Sequence, residues 1–168
     1  MVDVSQFKPK TVYLIYIAAT PEKVWEALTS SEFTKKYFWD RTIEIEPKLG
    51  GSFALRLPDG TVNVQGKVIA WDPPRKLGVT WQVKWPMEFN ELPECRVMYE
   101  IAPAGDAVRL TMTESHSWEV PEAILSGGRM GWPAVLSGLK SLLETGKAPV
   151  IKMEPPKAMI EAIKNLKF

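Results

Sequence analysis

The stretch GWPAVLSGLKSLLETG (131–146) places Trp132, Val135, Leu136, Leu139, Leu142 and Leu143 at i, i+3, i+4, i+7, i+10 and i+11. That spacing winds into a wide apolar stripe along one side of an α-helix. Gly146 stands where a C-terminal cap belongs, because glycine takes the left-handed conformation without a Cβ clash. Pro133 leaves two readings open: the helix begins there, or an earlier segment from Glu122 continues through a kink.

Upstream of this helix the period is two. Leu77, Val79, Trp81, Val83 and Trp85 form the clearest alternation, against Gly78, Thr80, Gln82 and Lys84. Val97, Tyr99 and Ile101 repeat it against Arg96, Met98 and Glu100, and Val108, Leu110 and Met112 against Arg109, Thr111 and Thr113. Each pattern predicts a strand with one buried face. Nearer the N-terminus, Ile43 and Ile45 alternate with Thr42, Glu44 and Glu46, and Phe53, Leu55 and Leu57 with Ala54 and Arg56. Pro58-Asp59-Gly60 turns the chain into a return strand from Val62 to Trp71. Asp72-Pro73-Pro74 stops that strand, since proline cannot donate to a ladder.

The first strand is expected over Thr11 to Ala19, with Tyr13, Ile15 and Ile17 on one face and Leu14, Tyr16 and Ala18 on the other. If the first set faces the core, the second needs cover, from the C-terminal helix or from a second copy in a homodimer. Thr20-Pro21 opens a short helix carrying Val24, Trp25 and Leu28, and a second is expected from Ser31 to Phe38 with Ser30 as its cap. Beyond Pro155-Pro156, Met159, Ile160, Ile163 and Leu166 fall at helical spacing; so short a helix must dock to be stable. The expectation is an α+β fold, a curved seven-stranded antiparallel sheet wrapped around the long helix. The organisation is an N-terminal extension (1–10), a domain (11–146) and a C-terminal extension with a short amphipathic helix (147–168).

Composition narrows the function. The 168 residues suit one core, and 21 Lys plus Arg against 20 Asp plus Glu give no electrostatic footprint for nucleic acid or an anionic membrane. No run approaches the roughly 18–20 apolar residues of a membrane span, and the first ten residues lack the apolar stretch of a signal peptide. One cysteine excludes an internal disulfide and fits a reducing cytoplasm.

The order strand, two helices, six strands, long helix resembles the helix-grip fold of the START-like (SRPBCC) superfamily. IAATPEKVWEALT (17–29), GGSF (50–53), PDG (58–60), GKVIAWDPPRKLGVTW (66–81) and GWPAVLSGLKSLLETG (131–146) look like the activator of heat shock protein 90 ATPase homologue-like family. The resemblance covers about Thr11 to Gly146. It implies a cavity between sheet and long helix, as in relatives that bind apolar ligands or act as cyclase-like enzymes. It also implies the alternative of a chaperone partner. The chain has no segment for the separate N-terminal domain with which the chaperone activator makes much of its contact, which sets that reading last.

Site chemistry points the same way. One His and one Cys are too few for a zinc site by count, and neither Gly50-Gly51 nor Gly127-Gly128 has the spacing of a phosphate loop, so no metal or cofactor is expected. Ser115 and Ser117 flank His116, but adjacent strand residues point to opposite faces, so no triad is legible. Glu114 continues the inward phase of Met112, and His116 follows it. A carboxylate on the inner wall could act as acid, base or hydrogen-bond anchor; a strand twisting at its end would instead leave it in solvent or paired with an Arg. Glu114 and His116 are the catalytic candidates. The expected cavity wall is Trp39, Phe53, Leu55, Trp81, Val83, Trp85, Tyr99, Met112, Glu114, Trp132 and Leu136, enclosing a small apolar or aromatic molecule. The seven Trp could also fill that space.

Overall fold

The computed structural model describes residues 8–167. Most of the expected N-terminal extension, up to residue 7, lies outside the described residues. The elements run β1 (Lys8–Ile17), α1 (Pro21–Thr29), α2 (Ser31–Tyr37), β2 (Thr42–Ile45), β3 (Ser52–Arg56), β4 (Val62–Asp72), β5 (Lys76–Val83), β6 (Cys95–Ala104), β7 (Ala107–His116), α3 (Glu122–Thr145) and α4 (Lys157–Lys164). A 3₁₀ turn, Met87–Phe89, interrupts the connection from β5 to β6.

All seven strands join one antiparallel sheet in the order β1-β7-β6-β5-β4-β3-β2. Register shifts at Pro9/Thr11, Leu55/Arg56 and Val68/Ala70 are the local irregularities that let such a sheet curve. The concave face meets the apolar stripe of α3: Trp132, Val135, Leu136, Leu139 and Leu142 are buried there with Leu77, Val79, Val97, Ile101, Leu110 and Met112. The sheet wrapped around a long helix is therefore as the periodicities predict.

Of the two readings for Pro133, the longer holds, because α3 runs unbroken from Glu122 through Pro133 to Thr145. Gly146 caps it at φ 81°, its N–H donating to the Leu142 carbonyl. Thr20 caps α1 through a hydrogen bond from Lys23 N (3.2 Å). Ser30 makes no side-chain cap on α2; its carbonyl accepts from Phe33 and Thr34 while its own N–H closes α1. Trp25 is only partly buried and stands edge-on to Trp71, ring centroids 5.0 Å apart.

Two expectations change. β5 ends at Val83 rather than carrying Trp85, because the N–H groups of Lys84 and Trp85 both turn to the Asn63 carbonyl and Pro86 has no N–H to continue the ladder. The outer face of β1 is not covered by the C-terminal helix. Instead α4 packs on α3 and the 3₁₀ turn, building a second apolar cluster of Val120, Ile124 and Ile163 with Phe89, Leu92, Trp118 and Met159. Gly127 on α3 makes room for this docking, since a Cβ there would collide with the Met159 sulfur.

Candidate functional site

Between the main core and this second cluster lies a cavity of about 250 Å³. Its floor comes from the ends of β5, β6 and β7 (Trp81, Val83, Cys95, Glu114, His116) and one wall from α3 (Gly128, Gly131, Trp132, Val135). The end of α2 and the chain beyond it give Phe38, Trp39 and Arg41, with Asn63 and Val64 from β4. Trp85, Phe89, Leu92 and Trp118 close it from the loops, and Met159 from α4. The volume is just below the range of about 300–1,000 Å³ usual for small-molecule pockets, and the lining has their character, apolar with few polar groups.

The aromatic wall is continuous. Trp81 packs on Phe53, Phe38 and Trp132 with centroid separations of 5.6, 6.2 and 5.2 Å, and Phe38 stands edge-on to Trp39 and Trp132 at 6.0 Å each. Trp39 and Asp40 both hold positive φ, 47° and 57°, which is uncommon outside glycine and costs about 1–2 kcal/mol per residue. This left-handed step after α2 brings Trp39 and Arg41 to the cavity mouth. The Trp39 indole is held by a hydrogen bond from Nε1 to the Ile151 carbonyl (2.9 Å), and the Arg41 guanidinium lies 5.5 Å from its ring.

Glu114 sits on the inner face opposite Val97, its side chain 13% exposed. Trp132 Nε1 donates to Oε2 (2.6 Å), and His116 Nε2 lies 3.0 Å from Oε1. The indole and the imidazole take its two oxygens. Its charge, added to burial, pushes the Tyr13 hydroxyl up to about 12 and raises Tyr99 and Cys95 as well. Burial is the larger cause in all three, and it leaves Cys95 a thiol rather than a nucleophilic thiolate. His116 Nδ1 is buried without a hydrogen-bond partner among the described residues.

Counting ligands missed one convergence: Cys95, Glu114 and His116 bring one donor atom each to within 4.8 Å of one another. Three such donors with an open side could hold a cation. Here, however, both carboxylate oxygens already accept hydrogen bonds, so the group as it stands is a buried polar network.

Of the residues expected on the cavity wall, Trp39, Trp81, Val83, Trp85, Glu114 and Trp132 line this cavity. Phe53, Leu55 and Tyr99 lie instead around a small void of about 20 Å³ in the main core, while Met112 and Leu136 are buried in that core away from the cavity. Sequence reasoning did not find Phe38, Arg41, Asn63, Phe89, Leu92 or Met159. Phe38, Arg41, Phe89 and Leu92 come from helix-end and loop positions that periodicity does not read, Asn63 is a polar residue of β4, and the helical spacing of Met159 does not say where its helix docks.

The model of the family described as "Activator of Hsp90 ATPase homolog 1-like protein" matches residues 18–144. Among solved structures, a Mesorhizobium loti protein is 24% identical (TM-score 0.64), covering 79% of this chain and 96% of its own. The Aha1 dimer from Colwellia psychrerythraea is 21% identical (TM-score 0.65), covering 82% and 97%. An HSP90 activator from Plasmodium falciparum is 18% identical (TM-score 0.59), covering 74% and 88%. At these identities the likeness is one of fold. No curated protein matches the chain. Among the described residues, no helix is long and apolar enough to cross a membrane.

Proposed function

The chain belongs to the Activator of Hsp90 ATPase homolog 1-like family, and from that premise we propose that it is a binding domain for a small apolar or aromatic molecule. The observation that carries this is the open cavity of about 250 Å³ walled by Phe38, Trp39, Trp81, Trp85 and Trp132. Rings on several sides would bury most of a flat ligand, and the Glu114–His116 pair supplies a polar contact on the floor. The buried lone Cys95 fits a cytoplasmic setting.

The neutral probe N-phenyl-1-naphthylamine is expected to bind saturably, one per chain, and to quench Trp fluorescence. Gly128→Leu should fill the cavity, because a Cβ there meets only Glu114 Oε1 at 3.7 Å and glycine within a helix is replaceable at no helical cost. That variant should melt no lower than the native protein and bind the probe at least about tenfold more weakly. Absence of saturable binding to the native chain would sink the reading.

The 3.0 Å contact of Glu114 with His116 favours one second reading, a cyclase- or hydrolase-like enzyme in which this pair moves a proton on the bound molecule. In that case Glu114→Gln removes turnover and leaves binding and folding intact. A chaperone-activating role rests on the family's description and on the names of the Colwellia psychrerythraea and Plasmodium falciparum relatives, with no feature of the site behind it.

Self-association belongs to the same proposal. Val12, Leu14 and Tyr16 are 56%, 50% and 52% exposed on β1, an edge strand paired on one side only. Such an apolar edge is self-complementary to a second copy about a twofold axis, and the Colwellia psychrerythraea relative is a dimer. Sedimentation equilibrium should give twice the chain mass of 18.9 kDa, and Leu14→Lys should restore the monomer. A native protein that stays monomeric at high concentration refutes this.

A further inference from the structure

Arg41 lines the cavity without a counter-ion among the described residues. Its Nε donates to Asn63 Oδ1 (2.6 Å), and Asn63, 6% exposed, is itself fixed by donating Nδ2 to the Trp85 carbonyl (2.6 Å). The guanidinium is thus tethered on one edge and stacked near Trp39 on one face. Its two terminal nitrogens make no hydrogen bond among the described residues, and no Asp or Glu there forms an ion pair with it. Burial lowers its pKa below the usual arginine value with no acid opposing the shift.

A partly buried guanidinium without a counter-ion is unfavourable unless something else answers it. Here the surroundings orient it instead: Asn63 locks one edge, Trp39 supports a face, and the two left-handed residues before it deliver it to the mouth. Backbone strain that serves to present a side chain is the kind kept at binding sites. What remains free is the planar fork of terminal N–H groups, which matches the two oxygens of a carboxylate. At the floor, Glu114 has both oxygens occupied and repels a second anion, so an anionic group is driven to the Arg41 end.

We propose that the cavity selects an aromatic ligand bearing a carboxylate, with the carboxylate on the terminal nitrogens of Arg41 and the rings between Trp39, Trp81 and Trp85. This rests on the ligand-binding reading above and adds the chemical class. The occupant is a planar aromatic acid. A neutral aromatic would leave the guanidinium unanswered.

The test compares 2-naphthoate, 2-naphthalenemethanol and 2-naphthalenesulfonate by calorimetry and Trp quenching on the full chain. Naphthoate should bind roughly tenfold or more tightly than the alcohol, the ratio expected for gaining a charge-assisted hydrogen-bonded pair. Arg41→Met should remove that preference, so that acid and alcohol bind the variant equally, and a cooperative melting transition reports that the variant is folded. Arg41→Lys, keeping charge without the fork, should retain only part of it. Equal binding of acid and alcohol, or a preference surviving in Arg41→Met, overturns the inference while leaving the cavity reading intact. Sulfonate binding as tight as naphthoate overturns the carboxylate assignment. If none of the three nor N-phenyl-1-naphthylamine binds, the ligand-binding reading falls, and this inference with it.

Discussion

Trp132→Ala is expected to lower folding stability by about 3–5 kcal/mol, the usual cost of removing a buried large aromatic. Trp132 is 7% exposed and its ring packs on Trp81 and Phe38, so the cavity left behind would be walled by rigid rings with little room to collapse. The loss has a second source, because Trp132 Nε1 donates to Glu114 Oε2. Trp132→Phe separates the two: it keeps most of the packing and leaves one carboxylate oxygen without its donor, at a cost of about 1–3 kcal/mol. If the hydrogen bond matters, Trp132→Phe should cost much less in a Glu114→Met background than in the native one, a coupling that a double-mutant cycle in urea measures. Additive costs would mean that the indole contributes by packing alone. A melting temperature for Trp132→Ala within a few degrees of native would contradict its place in the core, since each kcal/mol shifts a domain of this size by about 2–4 °C.

The same residue explains how far the sequence could be read. Trp132 was legible because a helical stripe says which side of α3 faces the sheet, and alternation in β5, β6 and β7 says which side of the sheet faces back. Those two periods determine the wrapping. They do not say where along the contact the two surfaces part. Phe53, Leu55, Tyr99 and Met112 point inward as their phase requires, yet enclose no more than a void of about 20 Å³, whereas Trp81 and Glu114, in the same phase, border the larger cavity. The difference is made by two parts with no period, the loop that turns away at Trp85 and the left-handed step at Trp39 and Asp40, and by α4, whose period does not say that it docks across the opening. Arg41 carried no signal beyond a cation two residues after Trp39, and its missing counter-charge is visible only once the elements are assembled. Counting donors likewise dismissed a convergence of Cys95 with Glu114 and His116 that strand register creates. Residues 95 and 116 lie just beyond the Arg96–Ser115 pair of adjacent antiparallel strands.

Deleting residues 149–168 is expected to have the largest effect on the cavity itself. The eight residues of α4 cannot hold a helix alone, so its presence reflects docking through Ile163 and Met159 onto Ile124, Val120 and Phe89. Each such side chain, fully buried, contributes about 1.5–3 kcal/mol, but ordering the tail opposes much of this, so the net loss of stability is smaller than the newly exposed apolar area suggests. Three separate contacts go at once: the Met159 wall of the cavity, the filling of the space over Gly127, and the hydrogen bond from Trp39 Nε1 to Ile151. The truncated chain should therefore melt several degrees lower and associate through the uncovered cluster. It should also bind N-phenyl-1-naphthylamine more weakly, because one side of the pocket now opens to water. Ile163→Asp, which places a carboxylate in an apolar cluster without shortening the chain, should reproduce all three effects in weaker form. A truncated protein with native melting temperature, native mass and native probe affinity would mean that α4 merely rests on the domain. The cavity would then be a feature of sheet and long helix alone. The opposite result makes the tail the fourth wall of the pocket.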